Sequence, residues 1–286
     1  MGRSVILGVL VACLVACSGG PSNPDEGAGG SSTSSSTTAA SLASSPSSSS
    51  ITGPETTSTT STTSTVSGPF QVLVFHKTTG FRHDSILAGI AAITELGQQH
   101  GYSVTATDDA SVFTESVLAS YDVIVFLSTT GDILDGEQEH AMERFIGAGS
   151  GFVGIHSAAD TEYGWPWYGG LVGAYFDSHP ALQQATVHIE ESEHPTIREL
   201  PPSFERFDEW YNFESLPRPE VTILATVNES SYQGGNMGDP HPVVWAQEYD
   251  GGRSFYTAFG HTAESFSEPL ILTQLANAIL WAARSD

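Results

Sequence analysis

Cysteine is almost missing from this chain: of 286 residues only two are cysteine. Both, Cys13 and Cys17, fall in an apolar stretch at the N-terminus. The rest of the chain has neither a disulfide framework nor a thiol, which excludes cysteine nucleophiles. Basic residues are scarce as well, 9 Lys+Arg against 33 Asp+Glu, for a formal net charge of −24. Such a chain repels nucleic-acid phosphates and anionic lipid head groups, so neither is an expected partner. A neutral polar ligand such as a sugar meets no electrostatic penalty. No HExxH or CxxC spacing is present, so any metal ligands must meet in space rather than along the chain.

Long apolar runs are lacking too. Met1-Gly2-Arg3 supplies a short positive start, and Ser4 to Val15 an apolar region too short to span a bilayer as a stable helix. It closes on Leu14-Val15-Ala16-Cys17, which resembles a bacterial lipobox and makes Cys17 the expected acylated residue. Leu10-Val11-Ala12-Cys13 fits the same pattern but leaves a very short apolar region. An ordinary cleaved secretory signal is the alternative. Residues 18–68 are mostly Ser, Thr, Gly and Pro, which bury too little surface to offset chain entropy, and read as a disordered tether. A flexible segment of that length spans about 40 Å on average. The expected location is the cell envelope, with the membrane touched only through the lipid. Ser18 carries no acidic retention signal, which favours an outer membrane or cell surface.

Regular hydrophobic periodicity covers residues 69–285, enough for one domain with a sizeable core. Gln71–His76, Tyr102–Thr107, Asp122–Ser128 and Gly151–His156 read as strands, with helices over Asp84–His100, about Thr114–Ser120 and Asp135–Gly147. That alternation predicts an α/β fold: an open, doubly wound, mostly parallel sheet. Further strands are predicted at Ala185–Glu190, Glu220–Thr226, Val243–Glu248 and Arg253–Phe259, then a closing helix over Pro269–Arg284. Trp165, Trp167 and Tyr168 fall in what reads as a Gly/Pro-broken loop.

In open α/β sheets ligands bind beyond the carboxyl ends of the strands. The polar residues of this chain collect there: His76 to Asp84, Ser128 to Asp132, His156 to Thr161, and Gly260 to Thr262. Lys77-Thr78-Thr79-Gly80-Phe81-Arg82-His83, Gly151-Phe152-Val153-Gly154-Ile155-His156-Ser157-Ala158, Asp208-Glu209-Trp210-Tyr211 and Phe255 to Thr262, with Phe176-Asp177-Ser178-His179-Pro180, form an ordered set. In order and spacing that set resembles the ThuA (trehalose-utilisation) domains. The resemblance implies a flavodoxin-like sheet similar to class I glutamine amidotransferases, and a role in sugar metabolism. In those amidotransferases a nucleophilic cysteine follows a central strand. Here the matching stretch carries His156, so thioester chemistry is not expected.

The candidate catalytic residues are His156, His83, Arg82, Asp160, Glu209 and His261. His156 is read as acid/base or ligand, Asp160 or Glu209 as its carboxylate partner, and Arg82 as an electrostatic stabiliser. Thr79, Ser128, Trp165, Trp167, Trp210 and Tyr211 are candidate substrate contacts, the aromatics as a platform for a sugar ring. His179 is an open case between a turn residue and a site residue, and His241 reads as a surface-loop residue. A divalent metal such as zinc is a candidate cofactor, with His83, His156 and His261 as ligands. Two functions remain in competition: an enzyme acting on a disaccharide, glycoside or keto-sugar, or a non-catalytic carbohydrate-binding lipoprotein.

Overall fold

The computed structural model describes residues 69–285; the expectations for a signal segment, an acylated Cys17 and a tether lie outside the described residues. Strand β1 (Gln71–Phe75) is a continuous apolar run with its last four residues buried, as suits a strand covered on both faces. Helix α1 (Ile86–His100) buries Ile86, Ile93 and Leu96 and stops at Gly101, whose φ of 81° is the left-handed cap that glycine adopts most easily. Next come β2 (Ser103–Thr107), α2 (Glu115–Leu118), β3 (Val123–Leu127), α3 (Gly136–Gly147) and β4 (Gly151–Ile155). Asp135 and Gln138 close a capping box at the start of α3.

The second half comprises α4 (Pro166–Val172), β5 (Phe176–Ser178), β6 (Gln183–Ile189), β7 (Ser203–Asp208), β8 (Asn212–Phe213), β9 (Thr222–Val227), β10 (Pro242–Tyr249), β11 (Gly252–Thr257) and α5 (Pro269–Ala282). Nine strands form one sheet in the order β2-β1-β3-β4-β11-β10-β9-β6-β7. From β2 across to β11 neighbours pair parallel. From β11 to β7 they pair antiparallel. This is the doubly wound α/β sheet with added strands that the periodicity predicts. Helices α1 and α5 pack together, as do α2 and α3. No helix among the described residues is long and apolar enough to cross a membrane.

The sequence reading misses β5 and β8, which pair in a separate two-stranded sheet, and departs from the structure at α4 and β7. Residues 165–168 are not a broken loop: Pro166 occupies the first turn of α4, where a missing N–H costs nothing. Gly169 and Gly170 lie inside that helix with Tyr175 and Tyr249 pressed on them; a Cβ would meet the Tyr175 ring at 2.6 Å and the Tyr249 hydroxyl at 2.3 Å. Strand β7, Ser-Phe-Glu-Arg-Phe-Asp, has no aliphatic run. It ends the sheet and buries Arg206 and Asp208 instead of apolar side chains, so hydropathy alone does not reveal it.

Candidate active site

Strands β1, β4 and β11 run in one direction, so the segments that follow them emerge at one edge of the sheet. Each delivers a histidine: His83, His156 and His261. His156 stands directly after β4 with φ of 53° and begins a 3₁₀ turn, His156–Ala159. Left-handed backbone is uncommon in a non-glycine residue. Here it accompanies an imidazole that is 0 % exposed.

His156 Nδ1 donates to the Ala258 carbonyl at 2.8 Å. Because a carbonyl only accepts, Nδ1 carries a proton, and Nε2 faces inward. Around Nε2 lie His83 Nε2 at 3.1 Å, His261 Nδ1 at 3.2 Å, the Tyr211 hydroxyl at 3.1 Å and a Glu209 oxygen at 3.4 Å. That Glu209 oxygen also lies 3.0 Å from His261 Nδ1, while its other oxygen meets His179 Nδ1 at 2.9 Å. His83 Nδ1 is 3.3 Å from Ser157 Oγ. The donor atoms of His83, His156, Glu209 and His261 all lie within 4.8 Å of one another, and each is a type that a divalent ion accepts.

Asp208, fully buried, locks two of these groups in place. Its carboxylate accepts from the backbone N–H groups of Glu209 at 2.9 Å, Gly260 at 3.1 Å and His261 at 3.2 Å. It also accepts from Arg206 Nε at 3.0 Å and Nη2 at 2.8 Å. Arg206 reaches on to Glu268 and Ser265. His241 is buried rather than exposed, correcting its reading as a surface-loop residue. One ring nitrogen donates to the Tyr211 carbonyl at 2.8 Å, and the other lies 2.8 Å from Glu229.

Charge follows this geometry. Burial, reinforced by His156 and His261, lowers the His83 pKa to about 3, so its imidazole is neutral near pH 7. Burial works against ionisation of Glu209, but hydrogen bonds from His156 and His261 outweigh it and hold the carboxyl well below the usual range. For His261 burial pulls the pKa down, yet the hydrogen bond and charge of Glu209 leave it raised overall. Burial raises Asp160, against a hydrogen bond from the Tyr163 hydroxyl at 2.8 Å. A pocket of about 320 Å³ opens here, lined by Phe81, His83, Asp160, Phe176, His179, Glu209, Tyr211 and His261. His156 lies beneath that lining and acts on the pocket through the groups it touches. A groove of about 360 Å³ along α1 and α5 is lined by residues such as Ala92, Leu96 and Thr273, without a comparable convergence of donors.

The structure thus gathers His83, Asp160, Glu209, Tyr211 and His261 on one pocket, with His156 under it. Other candidates stand elsewhere. Arg82 is exposed, does not line the pocket, and makes no ion pair among the described residues, with Asp84 or otherwise. Thr79 joins two loops: its N–H donates to the Thr130 carbonyl and its hydroxyl contacts the carbonyls of Thr130 and Asp132. Ser128 is completely buried at the end of β3 with φ of 47°. Trp210 is a core residue whose indole N–H donates to the Gln183 carbonyl. Trp165 stacks on Trp167 and Tyr168; the Trp165 and Trp167 indole N–H groups donate to Glu143 and Asp250, and neither residue lines the pocket. His179, left open by the sequence, belongs to the pocket. The Asp208 contacts leave no sequence signal beyond the motif that contains them.

The strand-end loops are held together by a buried carboxylate. Glu162 accepts from the N–H groups of Ile133 at 2.9 Å and Leu134 at 2.8 Å. Burial raises its pKa from 4.5 to about 7 despite those bonds. The folded state then holds a proton that the unfolded chain has released between those values, so stability declines as pH rises through that window. Glu162→Gln keeps an acceptor oxygen and removes the titration. The melting temperature of the variant, relative to that of the parent, is expected to rise from pH 5 to 8, and at pH 8 the variant should gain roughly 1–3 kcal/mol over the parent. Parallel melting curves for parent and variant across that range would reject this account.

Fold and site together define a class: an open α/β sheet with its polar site beyond the carboxyl ends of central parallel strands, and a histidine at the turn after one of them. Residues 71–282 match the family described as ThuA, trehalose utilisation, and the chain belongs to that family of carbohydrate metabolism. A ThuA-like protein from Bacteroides uniformis shares 24% identity over 76% of this chain and 92% of its own, with a TM-score of 0.65. Another from Parabacteroides merdae shares 17% over 75% and 90%, with a TM-score of 0.64. A cytoplasmic protein from Salmonella typhimurium LT2 shares 14% over 74% and 99%, with a TM-score of 0.55. At these identities the likeness is one of fold. Among curated proteins none matches the chain.

Proposed function

We propose that the chain is an enzyme acting on a sugar (a disaccharide, a glycoside or a keto-sugar derivative) and that acylated Cys17 anchors it in the cell envelope. The observation that carries the enzymatic reading is the convergence of His83, Glu209 and His261 on the buried Nε2 of His156, beside a pocket that also contains Asp160. Phe81, exposed at 66 %, with Phe176 and Tyr211 offers apolar surface for the C–H faces of a sugar ring. A volume near 320 Å³ falls in the range of small-ligand sites. The cluster holds and polarises an oxygen of the sugar. Asp160, whose raised pKa makes it the stronger base, takes a proton from the carbon beside a carbonyl. The negative charge that develops on the carbonyl oxygen is then stabilised by the cluster.

The test is to incubate the full chain with a panel of disaccharides and their keto derivatives in deuterated water, following products and deuterium incorporation. Turnover of at least one of them is expected, with Asp160→Asn slower by at least about a hundredfold. Absence of turnover, with a sugar affinity equal in parent and variant, would favour the carbohydrate-binding reading.

A further inference from the structure

Four groups converge on one nitrogen, and that is more than the nitrogen can use. His156 Nε2 has one direction in the plane of the ring and makes about one hydrogen bond there, as donor or acceptor, yet four polar atoms approach it at 3.1–3.4 Å. One of them, His83 Nε2, is itself a lone pair when His83 Nδ1 donates to Ser157 Oγ. With the His156 proton on Nδ1 alone, two nitrogen lone pairs then face each other at 3.1 Å and repel unless a cation lies between them. A divalent cation at the centre of the cluster satisfies the His83, His156, His261 and Glu209 atoms together.

We propose that His83, His156, His261 and Glu209 bind one divalent transition-metal ion of the zinc type, with a remaining coordination position open to the pocket for a sugar oxygen. This deepens the reading above, and rests on it for the identity of the ligand oxygen alone. Ligands about 2.1 Å from a common ion lie about 3.4 Å apart at tetrahedral angles and about 3.0 Å apart at the right angles of a five-coordinate ion, which leaves a position free. The observed neighbour separations are 3.0 Å for His261 and Glu209, 3.1 Å for His83 and His156, 3.2 Å for His156 and His261, and 3.4 Å for His156 and Glu209. The surroundings are those of a ligand set held by partners outside it. His156 is fixed by the Ala258 carbonyl, His83 by Ser157, and Glu209 by His179 on its far oxygen. The backbones of Glu209 and His261 are pinned by Asp208. Three imidazoles and a carboxylate select a borderline ion such as zinc or cobalt. They do not suit Mg²⁺ or Ca²⁺, which take oxygen ligands.

The experiment uses the full chain, stripped with a chelator, dialysed, and titrated with Co²⁺ by visible absorption and with Zn²⁺ by calorimetry. One equivalent per chain is expected, with a visible spectrum unlike that of hydrated cobalt and no response to Mg²⁺. Glu209→Gln and His261→Ala should each weaken binding at least about tenfold. Zinc should raise the melting temperature of the parent by mass action and leave that of the variants nearly unchanged. Should the variants not fold, the cobalt spectrum and the zinc-induced melting shift of the parent decide the matter. A parent that shows neither overturns the proposal, as do folded variants that bind as tightly as the parent. No sugar is needed for these measurements, so the two readings fail separately. Metal binding without turnover counts against the enzyme alone, and turnover that survives complete chelation counts against the metal alone.

Discussion

Asp208→Ala is expected to lower stability by about 3–5 kcal/mol, the range for breaking a buried ion pair from one side. Arg206, 4 % exposed, would keep Glu268 and Ser265 but lose the carboxylate that meets both Nε and Nη2. Three backbone N–H groups, of Glu209, Gly260 and His261, would lose their acceptor in the same step. The loss therefore extends past stability, because the loop carrying His261 and the start of the segment carrying Glu209 are released together. Denaturant unfolding measures the first effect. The second should appear as weakened ligand binding at temperatures where the variant is still folded. A double change, Asp208→Ala with Arg206→Met, should recover part of the stability, since no guanidinium is then left unpaired, but none of the site. A loss below about 1 kcal/mol for the single variant would mean that this carboxylate is not the anchor described.

His156→Asn is expected to reduce turnover by at least about a hundredfold while leaving the fold intact. Asparagine tolerates left-handed backbone better than most residues, so the φ of 53° can be kept at little cost. What disappears is the inward-facing Nε2 on which His83, Glu209, His261 and Tyr211 converge. Comparing His156→Gly with His156→Ala separates backbone strain from chemistry. Glycine relieves the left-handed conformation and should be the more stable of the two by about 1 kcal/mol, with both equally inactive. If His156→Asn retained near-parental turnover in a folded protein, the cluster would not be the centre of the reaction.

Much of this was legible in the sequence, for identifiable reasons. Strands such as Val123–Leu127 are unbroken apolar runs, and the polar residues after them had to emerge at one edge once the strands were parallel. The histidines at 83, 156 and 261 could therefore be grouped from topology, although 105 positions separate His156 from His261. Glu209 was harder to assign, because it follows a charged edge strand that hydropathy does not show. The aromatics misled for a different reason. Trp210 and Tyr211 are adjacent, yet Trp210 enters the core and Tyr211 faces the pocket, and composition cannot say which does which. Arg82 drew notice because cations are rare in the chain, but rarity is not placement.

The position of β11 in the sheet has a consequence for biosynthesis. Strand β11 is wedged between β4 and β10, so the middle of the sheet is incomplete until every other strand described has been made. His261 follows that strand and joins His83, which precedes it by 178 positions (261 − 83). A fragment ending before Gly252 would carry two of the three histidines and an unpaired central edge, but neither a closed sheet nor a working site. Closure of the sheet and completion of the site thus both depend on β11 and the segment that follows it.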